Sequence, residues 1–448
     1  MTIEEAKRII ELRERKLQEF IKKAKVANRY YLNQNDILKN ASPTNRNNKG
    51  GNEETKILSR SDNRISNNFH QLLVDQKAAY ALSTPPSFDV DESVNADLTD
   101  ILGDRLSKIS NALAVEASNT SVGWLHVWRA ADDSFKYAVV NALQIVPIFS
   151  TTLDNELEVV LRIYSDDDYT YYEIWNSVEC YAFKLDKSRK DSDIETHLMF
   201  DLDGVLVNNF RHEWGRVPFI PFFNNARQTS DLDMYKALID VYDMTLSGFV
   251  NDVWDVQEVI LILRGYGGES IQELWDKLRG AKAIDVDEGG GVDKLEIDIP
   301  VSARETLLEM TRKRIFEAGQ GLDPLDERVG SSSGVALKFK YSLLEMKSAQ
   351  LETEFRFGFA ELIRFILIYL GKNPDEFKNV QQTWIRTAIN NDLEHARIVA
   401  QLASITSKEN IAKSNPIVDD WEHELEMLAE EETKDIRMLD DYTGEDDE

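Results

Sequence analysis

Polar residues recur every three or four positions between Asp231 and Asp255: Asp233, Lys236, Asp240, Asp243, Ser247, Asn251 and Asp255. Nearly everything between them is apolar, Tyr235, Leu238, Ile239, Tyr242, Leu246, Phe249, Val250 and Val253 included. That period predicts a helix with one narrow wet face and apolar surface around the rest, which several neighbours must cover. About 25 residues at ~1.5 Å each make a rod of roughly 38 Å. A second amphipathic helix is predicted over 302–320, with Glu305, Glu309, Arg312, Lys313 and Gln320 on one side. A third runs over about 335–370 and measures on the order of 54 Å. Between the first two rods, "QEVILIL" (257–263) and "KLEIDIP" (294–300) read as strands around a short helix at about 269–279. "GLDPLDERVGSSSG" (321–334) is rich in breakers and forms a loop between the second and third rods.

Upstream, residues 2–32 read as a charged helix, 39–56 as a loop, 63–83 as a helix stopped by Pro85-Pro86, and about 96–119 as another helix. From Gly123 to Phe223 the period changes. "WLHVWRA", "FKYAVV", "LEVVLRIY", "YTYYEIW" and "ECYAFKL" are β-branched and aromatic runs split by turn residues, the pattern of an antiparallel meander. Gly371 to Pro374 ends the long helix, and shorter helices follow. The fold class is α+β, mainly helical. Rods as long as a small domain and apolar on most faces call for copies of themselves, and head-to-tail interfaces that close make a ring.

A chain of 448 residues is too long for one ordinary core, and its 42% apolar content suffices for more than one. Charge changes the picture further. With 80 acidic against 52 basic residues the net charge is −28, whereas a protein that grips nucleic acid through its phosphates is basic. Tight DNA binding is excluded, although a surface past which DNA slides is not. Residues 419–448 carry 15 acidic and 2 basic side chains and read as a solvated tail. Cys180 is the only cysteine and the six histidines show no ligand spacing, so no disulfide framework, metal site or cofactor is expected. Met1–Lys25 is a charged helical run, not a signal peptide. The most hydrophobic window, 355–371, contains Arg356, Glu361 and Arg364 and is too short and too charged to span a bilayer. A soluble protein of a reducing compartment is expected.

One stretch argues for an enzyme. "HLMFDLDGVLVNN" (197–209) resembles the opening motif of haloacid-dehalogenase-type phosphohydrolases, with Asp201 and Asp203 spaced to serve one phosphoryl group and one Mg²⁺. That chemistry needs the end of a strand in a parallel, doubly wound sheet. Here an antiparallel meander precedes the motif, and a Pro-containing segment and long helices follow. The stretch therefore reads as a hairpin, with Asp203-Gly204 as its two-residue turn. The glycines of "RGYGGES" and "DEGGGVDK" lack the Gly-Lys-Ser/Thr of a phosphate-binding loop.

Five segments together carry a resemblance to a family. They are "NRISNNFHQLLVDQKAAYALSTPPSF" (63–88), "WGRVPFIPFFNN" (214–225), "SDLDMYKALIDVYD" (230–243), "EGGGVDKLEIDIPV" (288–301) and "GSSSGVALKFKYSLLEMKSAQLE" (330–352). In this order and spacing the chain resembles the portal proteins of tailed bacteriophages, the type of long-tailed phages of Gram-positive hosts. The resemblance implies a ring of about twelve copies at one capsid vertex, with DNA passing along its axis. It implies a wing (1–229, with the long helix 335–371), a stem (230–256 and 302–320), a clip (257–301), a tunnel loop (321–334), a crown (372–430) and an acidic tail (431–448). By the same resemblance Arg312, Lys313, Asp326, Glu327, Arg328, Ser331, Ser332 and Ser333 would line the DNA tunnel. Glu269, Gln272, Glu273, Asp276 and Arg279 would form the clip's partner surface. The implied partners are the terminase large subunit, a head-completion adaptor, scaffolding and major capsid proteins, and double-stranded DNA in weak contact, with no membrane. The implied location is the virion, and the host cytoplasm during assembly. A non-portal helical scaffold would share the rods and the tail, but it would not require this order of elements.

Overall fold

The computed structural model describes residues 1–39, 61–189, 193–200, 204–256, 260–264, 291–295, 299–325 and 334–386, with isolated positions beyond 405. Helix α1 (Ile3–Tyr31) opens with a capping box, in which Thr2 accepts from the Glu5 amide and Glu5 accepts from the Thr2 amide. On its inward face Ala6, Ile10, Leu17, Ala24, Ala27 and Tyr30 are buried. The first part packs on Leu161, Tyr172, Ile174 and Phe183 of the meander. The last turns reach a second core around Phe69, Leu73, Tyr235 and Phe316. One helix thus links the sheet to the base of the long rods.

Helix α2 is Phe69–Leu82, shorter than the helix expected over 63–83, because the chain stays extended over 61–68. The single helix expected over 96–119 is two, α3 (Glu92–Leu102) and α4 (Arg105–Thr120). Gly103, at φ 50°, breaks them in a conformation that side chains disfavour.

The meander forms two antiparallel sheets. In one, β12 (Phe219–Phe223) and β3 (Phe135–Val140) flank β2 (Val122–Arg129). In the other, β4 (Ile145–Phe149), β5 (Leu157–Ser165), β6 (Tyr169–Trp175), β7 (Glu179–Asp186) and β11 (Asn209–Arg211) follow in spatial order, and β8 (Glu195–Thr196) also pairs with β7. Trp124, Trp175, Cys180 and Phe219 are buried together where the sheets meet. The hairpin expected near Asp203 exists as β9 (Met199–Phe200) and β10 (Leu206–Val207). Its strands pair Phe200 with Leu206 and Met199 with Val207, and the two-residue turn expected at Asp203-Gly204 falls partly outside the described residues. Asp201 and Asp203 lie outside the described residues.

The first long rod begins as a 3₁₀ turn, Asp231–Met234, and continues as α5 (Lys236–Val256). The second is α6 (Val301–Gly319) and the third α7 (Gly334–Tyr369), a single helix of 36 residues. Between α5 and α6, β13 (Ile260–Arg264) pairs antiparallel with β14 (Gly291–Leu295). Beyond α7, where helix was expected, a short strand β15 (Gln381–Thr383) pairs back on β1 (Ser87–Asp89).

The main core lies between α7 and the three-stranded sheet. Phe222 of β12 sits edge-on to Phe355 and Phe359, each 5.1 Å away between ring centroids. Gly358 admits this approach, because a Cβ there would stand 2.5 Å from Phe222 Cε1. Phe222→Ala is expected to lower the unfolding free energy by about 3–5 kcal/mol, measured by denaturant titration. A loss below ~1 kcal/mol would mean that the α7 seat does not depend on this ring.

Candidate functional site

The site is the junction where α2, the two ends of the α5–α6 pair and α7 converge. Its first component is the polar stripe of α5. Sequence periodicity assigned that stripe to water, but the chain itself covers it. Segment 61–68 lies extended along the helix and points alternate backbone amides at it. Asp255 accepts from the Ser61 amide at 2.9 Å, Asn251 from Asn63 at 2.7 Å, Ser247 from Ile65 at 3.0 Å, and Asp243 from Asn67 at 3.1 Å. Two residues of extended chain advance ~6.6 Å and four of helix ~6 Å, so the two repeats stay in step over this length. Asp243 is fully buried and also accepts from the side chains of Asn35, at 2.6 Å, and Asn67, at 2.7 Å. Burial pushes its carboxyl up, against the pull of those donors. Further along, Lys236 bridges Asp240 and Asp36 at 2.7 Å each, and the Tyr30 hydroxyl donates to Asp240.

The second component is the segment leaving α6. Gln320 adopts a left-handed conformation (φ 55°) and turns the chain back over α2. Gly319 and Gly321 lie directly on Leu73, where a Cβ would come within 2.5 and 2.3 Å of its methyl carbons. The Gln76 amide then holds the Leu322 backbone from both sides, donating to its carbonyl and accepting from its N–H, both at 2.8 Å. Arg312 grips Asp323 with two bonds of 2.9 and 2.6 Å while lying over the rings of Phe316 and Phe69.

The third component is a buried charge cluster. Lys77 of α2, Asp231 and Lys347 of α7 are 1%, 1% and 3% exposed. The Lys77 ammonium contacts both Asp231 oxygens, at 3.3 and 3.2 Å, and donates to Asn224 at 2.5 Å and Ser118 at 3.2 Å. Lys347 reaches Asp231 at 2.9 Å and the Gly319 carbonyl at 2.9 Å. Burial alone would raise the Asp231 carboxyl, but Lys347 and Lys77 with Asn224 hold it well below the usual range. Burial lowers Lys77 to about 8 despite Asp231 beside it. His70, bonded to the Tyr235 hydroxyl at 2.8 Å, is lowered by burial to about 4.

Of the residues expected to line a channel, Arg312 is engaged with Asp323 and two aromatic rings, so its charge is largely spent inside the chain. Lys313, one position on, is exposed. Asp326, Glu327, Arg328, Ser331, Ser332 and Ser333 lie outside the described residues, as do Glu269, Gln272, Glu273, Asp276 and Arg279 and nearly all of the acidic tail. Sequence reasoning missed Gln76, Lys77, Asp231 and Lys347. Nothing in the pattern marked them, since Lys77 stands beside Asp75 and Gln76, and Lys347 between Glu345 and Ser348, as ordinary solvated positions do.

Among the described residues no three His, Cys, Asp or Glu side chains form a group that could hold a metal ion, and no helix is long and apolar enough to cross a membrane. Every strand pairing described is antiparallel, including that of the β9–β10 hairpin around Asp201 and Asp203. A phosphohydrolase of the type that the motif suggests needs a parallel sheet at this point.

Residues 12–438 match the family described as "Phage portal protein, SPP1 Gp6-like". The chain is 37% identical over 474 aligned positions to the portal protein of Clostridium phage phiCD119, covering 99% of each. It is 30% identical to the portal protein of Bacillus phage SPP1, covering 94% of this chain and 86% of the relative. Among solved structures, a chain from the neck of the native GTA particle, computed with C12 symmetry, aligns over 78% of this chain and 90% of its own length, at 12% identity and a TM-score of 0.44.

The buried cluster gives a prediction with a definite sign. The folded pKa of Lys77 lies below its ordinary value, so below about 8 its buried charge opposes folding in full, and stability rises as pH climbs from there. The wild type should therefore gain on Lys77→Met between about pH 8 and about pH 10, by at most ~1.4 kcal/mol per pH unit in urea titrations. A difference that stays flat over that window would show that Lys77 keeps its proton.

Proposed function

This chain belongs to the SPP1 Gp6-like family of phage portal proteins, and from that premise we propose how its parts serve a portal. About twelve copies close a ring at one vertex of the capsid, and the genome enters and leaves along its axis. The observation that carries this reading is the 37% identity, over 99% of both chains, to a phage portal protein. The family is structural, and the chain is read as a conduit that leaves ATP hydrolysis to a partner.

Residues 1–229 with 335–371 make the wing, α5 and α6 the stem, 257–301 the clip, 321–334 the tunnel loop, 372–430 the crown and 431–448 an acidic tail. Side chains left uncovered on α7 support the ring. Phe339, Leu343, Met346 and Phe357 are exposed and, at ~100° per residue, fall on one side of the helix. Phe339 is 76% and Phe357 73% exposed, and large apolar side chains left uncovered on one helix side are suited to an interface. Met244 and Trp254 on α5 and Met310 on α6 add to it. The covering surface is the next copy of the chain.

The net charge of −28 suits a passage that must not hold DNA, since each phosphate neutralised by Lys or Arg strengthens retention. With Arg312 paired to Asp323, the exposed Lys313 is the cation of α6 assigned to the passage, joined by Arg328 and the serines of the loop. Glu269, Gln272, Glu273, Asp276 and Arg279 of the clip meet the terminase large subunit during filling and a head-completion adaptor afterwards. The wing meets scaffolding and major capsid proteins. The ring assembles in the host cytoplasm and stays in the virion.

Native mass spectrometry with negative-stain imaging tests the ring directly. Closed rings of about twelve or thirteen subunits with an axial hole are expected. Deleting 325–333 is expected to leave those rings intact and to block packaging. Normal packaging by the deletion would remove the tunnel-loop assignment. Asp201→Asn should leave assembly and phage yield unchanged, and a Mg²⁺-dependent phosphatase activity lost in that variant would restore the enzyme reading.

A further inference from the structure

A loop that surrounds moving DNA is only as well placed as the points where it leaves the fold. We propose that Gln76 and the buried Lys77–Asp231–Lys347 cluster are positioning residues for the segment 321–334, fixing its base to α2 of the wing. This inference rests on the reading of 321–334 as the tunnel loop.

The contacts divide between the two sides of the loop. On the entry side, α2 holds the backbone directly: Leu73 receives Gly319 and Gly321, and Gln76 pairs with both polar groups of Leu322. One helical turn covers these residues together with Lys77, so a single rigid surface sets where the chain departs. On the exit side, Lys347 lies about 13 residues into α7, roughly 20 Å from its start. Its ammonium donates to the Gly319 carbonyl, one of the acceptors that a helix end leaves unsatisfied, and pairs with Asp231 at the head of α5. Lys347 therefore ties together the end of α6, the start of α5 and the helix that resumes after the loop. Lys77 ties the same carboxylate to α2.

Sliding or tilting α7 against α6 would strip the Lys347 ammonium of the Gly319 carbonyl, and shifting it against the head of α5 would separate that ammonium from Asp231. An unpaired buried charge is heavily penalised. Removing Gln76 would free Leu322 without stranding any charge. The two sides of the loop base can thus be loosened independently.

The test uses full-length rings carrying Gln76→Leu, Lys347→Met or Lys347→Arg. Four quantities are read: subunit number, melting temperature, hydrogen exchange over 319–325, and DNA packaged per capsid. Gln76→Leu is expected to leave the ring and its melting temperature in place while Leu322 exchanges at least about tenfold faster, the mark of local opening. Packaging is expected to fall by about tenfold or more in Gln76→Leu and Lys347→Met, on the scale by which small misplacements of positioned groups reduce rates. Lys347→Arg, which keeps a cationic donor, should recover most of the loss. A purely structural role would lower melting temperature and packaging together and would show no recovery. Rings of Gln76→Leu with fast exchange at Leu322 but normal packaging would overturn the inference. Unchanged exchange at Leu322 in those rings would overturn it equally. If Lys347→Met fails to assemble, Gln76→Leu decides alone. Deletion of 325–333, run alongside, separates the two readings: if it blocks packaging while Gln76→Leu does not, the tunnel loop stands and only the positioning role falls.

Discussion

A carboxylate removed from water must meet its counter-charges inside the protein or lose its charge. Asp231 is such a carboxylate, and its counter-charges come from two helices that are far apart in sequence. The fold is satisfied only when α2, the head of α5, the end of α6 and the middle of α7 arrive at one point. Apolar packing would bring these elements near one another. The ion cluster fixes their mutual setting, since shifting α2, α7 or the head of α5 separates an ammonium from Asp231, and shifting the end of α6 takes the Gly319 carbonyl from Lys347. The cluster carries two ammoniums against one carboxylate, and the excess is expressed in Lys77, which burial lowers to about 8.

From that point the rest of the arrangement follows. The sheet core is attached through α7, whose Phe355 and Phe359 enclose Phe222, and through α1, which is buried at one end in the meander and at the other beside Tyr235. The α5–α6 pair extends from the junction with its polar side already occupied by segment 61–68. What it leaves uncovered is apolar in several places, and α7 exposes apolar side chains of its own. A subunit built this way pairs the polar stripe of α5 within its own chain and leaves apolar side chains exposed, which is a suitable division of labour for a subunit of a closed assembly.

The three rods were legible because a 3.6-residue period sustained over many turns has few competing explanations, and the meander because β-branched and aromatic runs were cut by turn residues. Periodicity failed at ends and breaks: at Gly103, at residues 61–68 and at β15, where tertiary pairing overrode local preference. It failed more instructively at α5. The spacing correctly placed Asp243, Ser247, Asn251 and Asp255 on one face but named water as their partner, because a pattern says where groups point and not what meets them. Lys77 and Lys347 were invisible for a similar reason. A lysine among other polar helical residues usually extends its stem and reaches solvent, and the carboxylate that keeps these two buried lies more than a hundred positions away from either. The Asp201–Asp203 motif shows the converse: a short local match has no meaning until the sheet around it is known.

The pairing of segment 61–68 with α5 has a mechanical consequence. Only every second amide of the strap faces the helix, and only every fourth helical residue offers it an acceptor, so the two surfaces behave as a rack and a toothed rod. A small axial slip does not weaken these bonds gradually. It misaligns all four together, and the next register lies four helical residues away, ~6 Å further on. Under a load along its own axis, this helix is held in a detent. It resists as a unit up to a threshold, and any yielding would come as a discrete step.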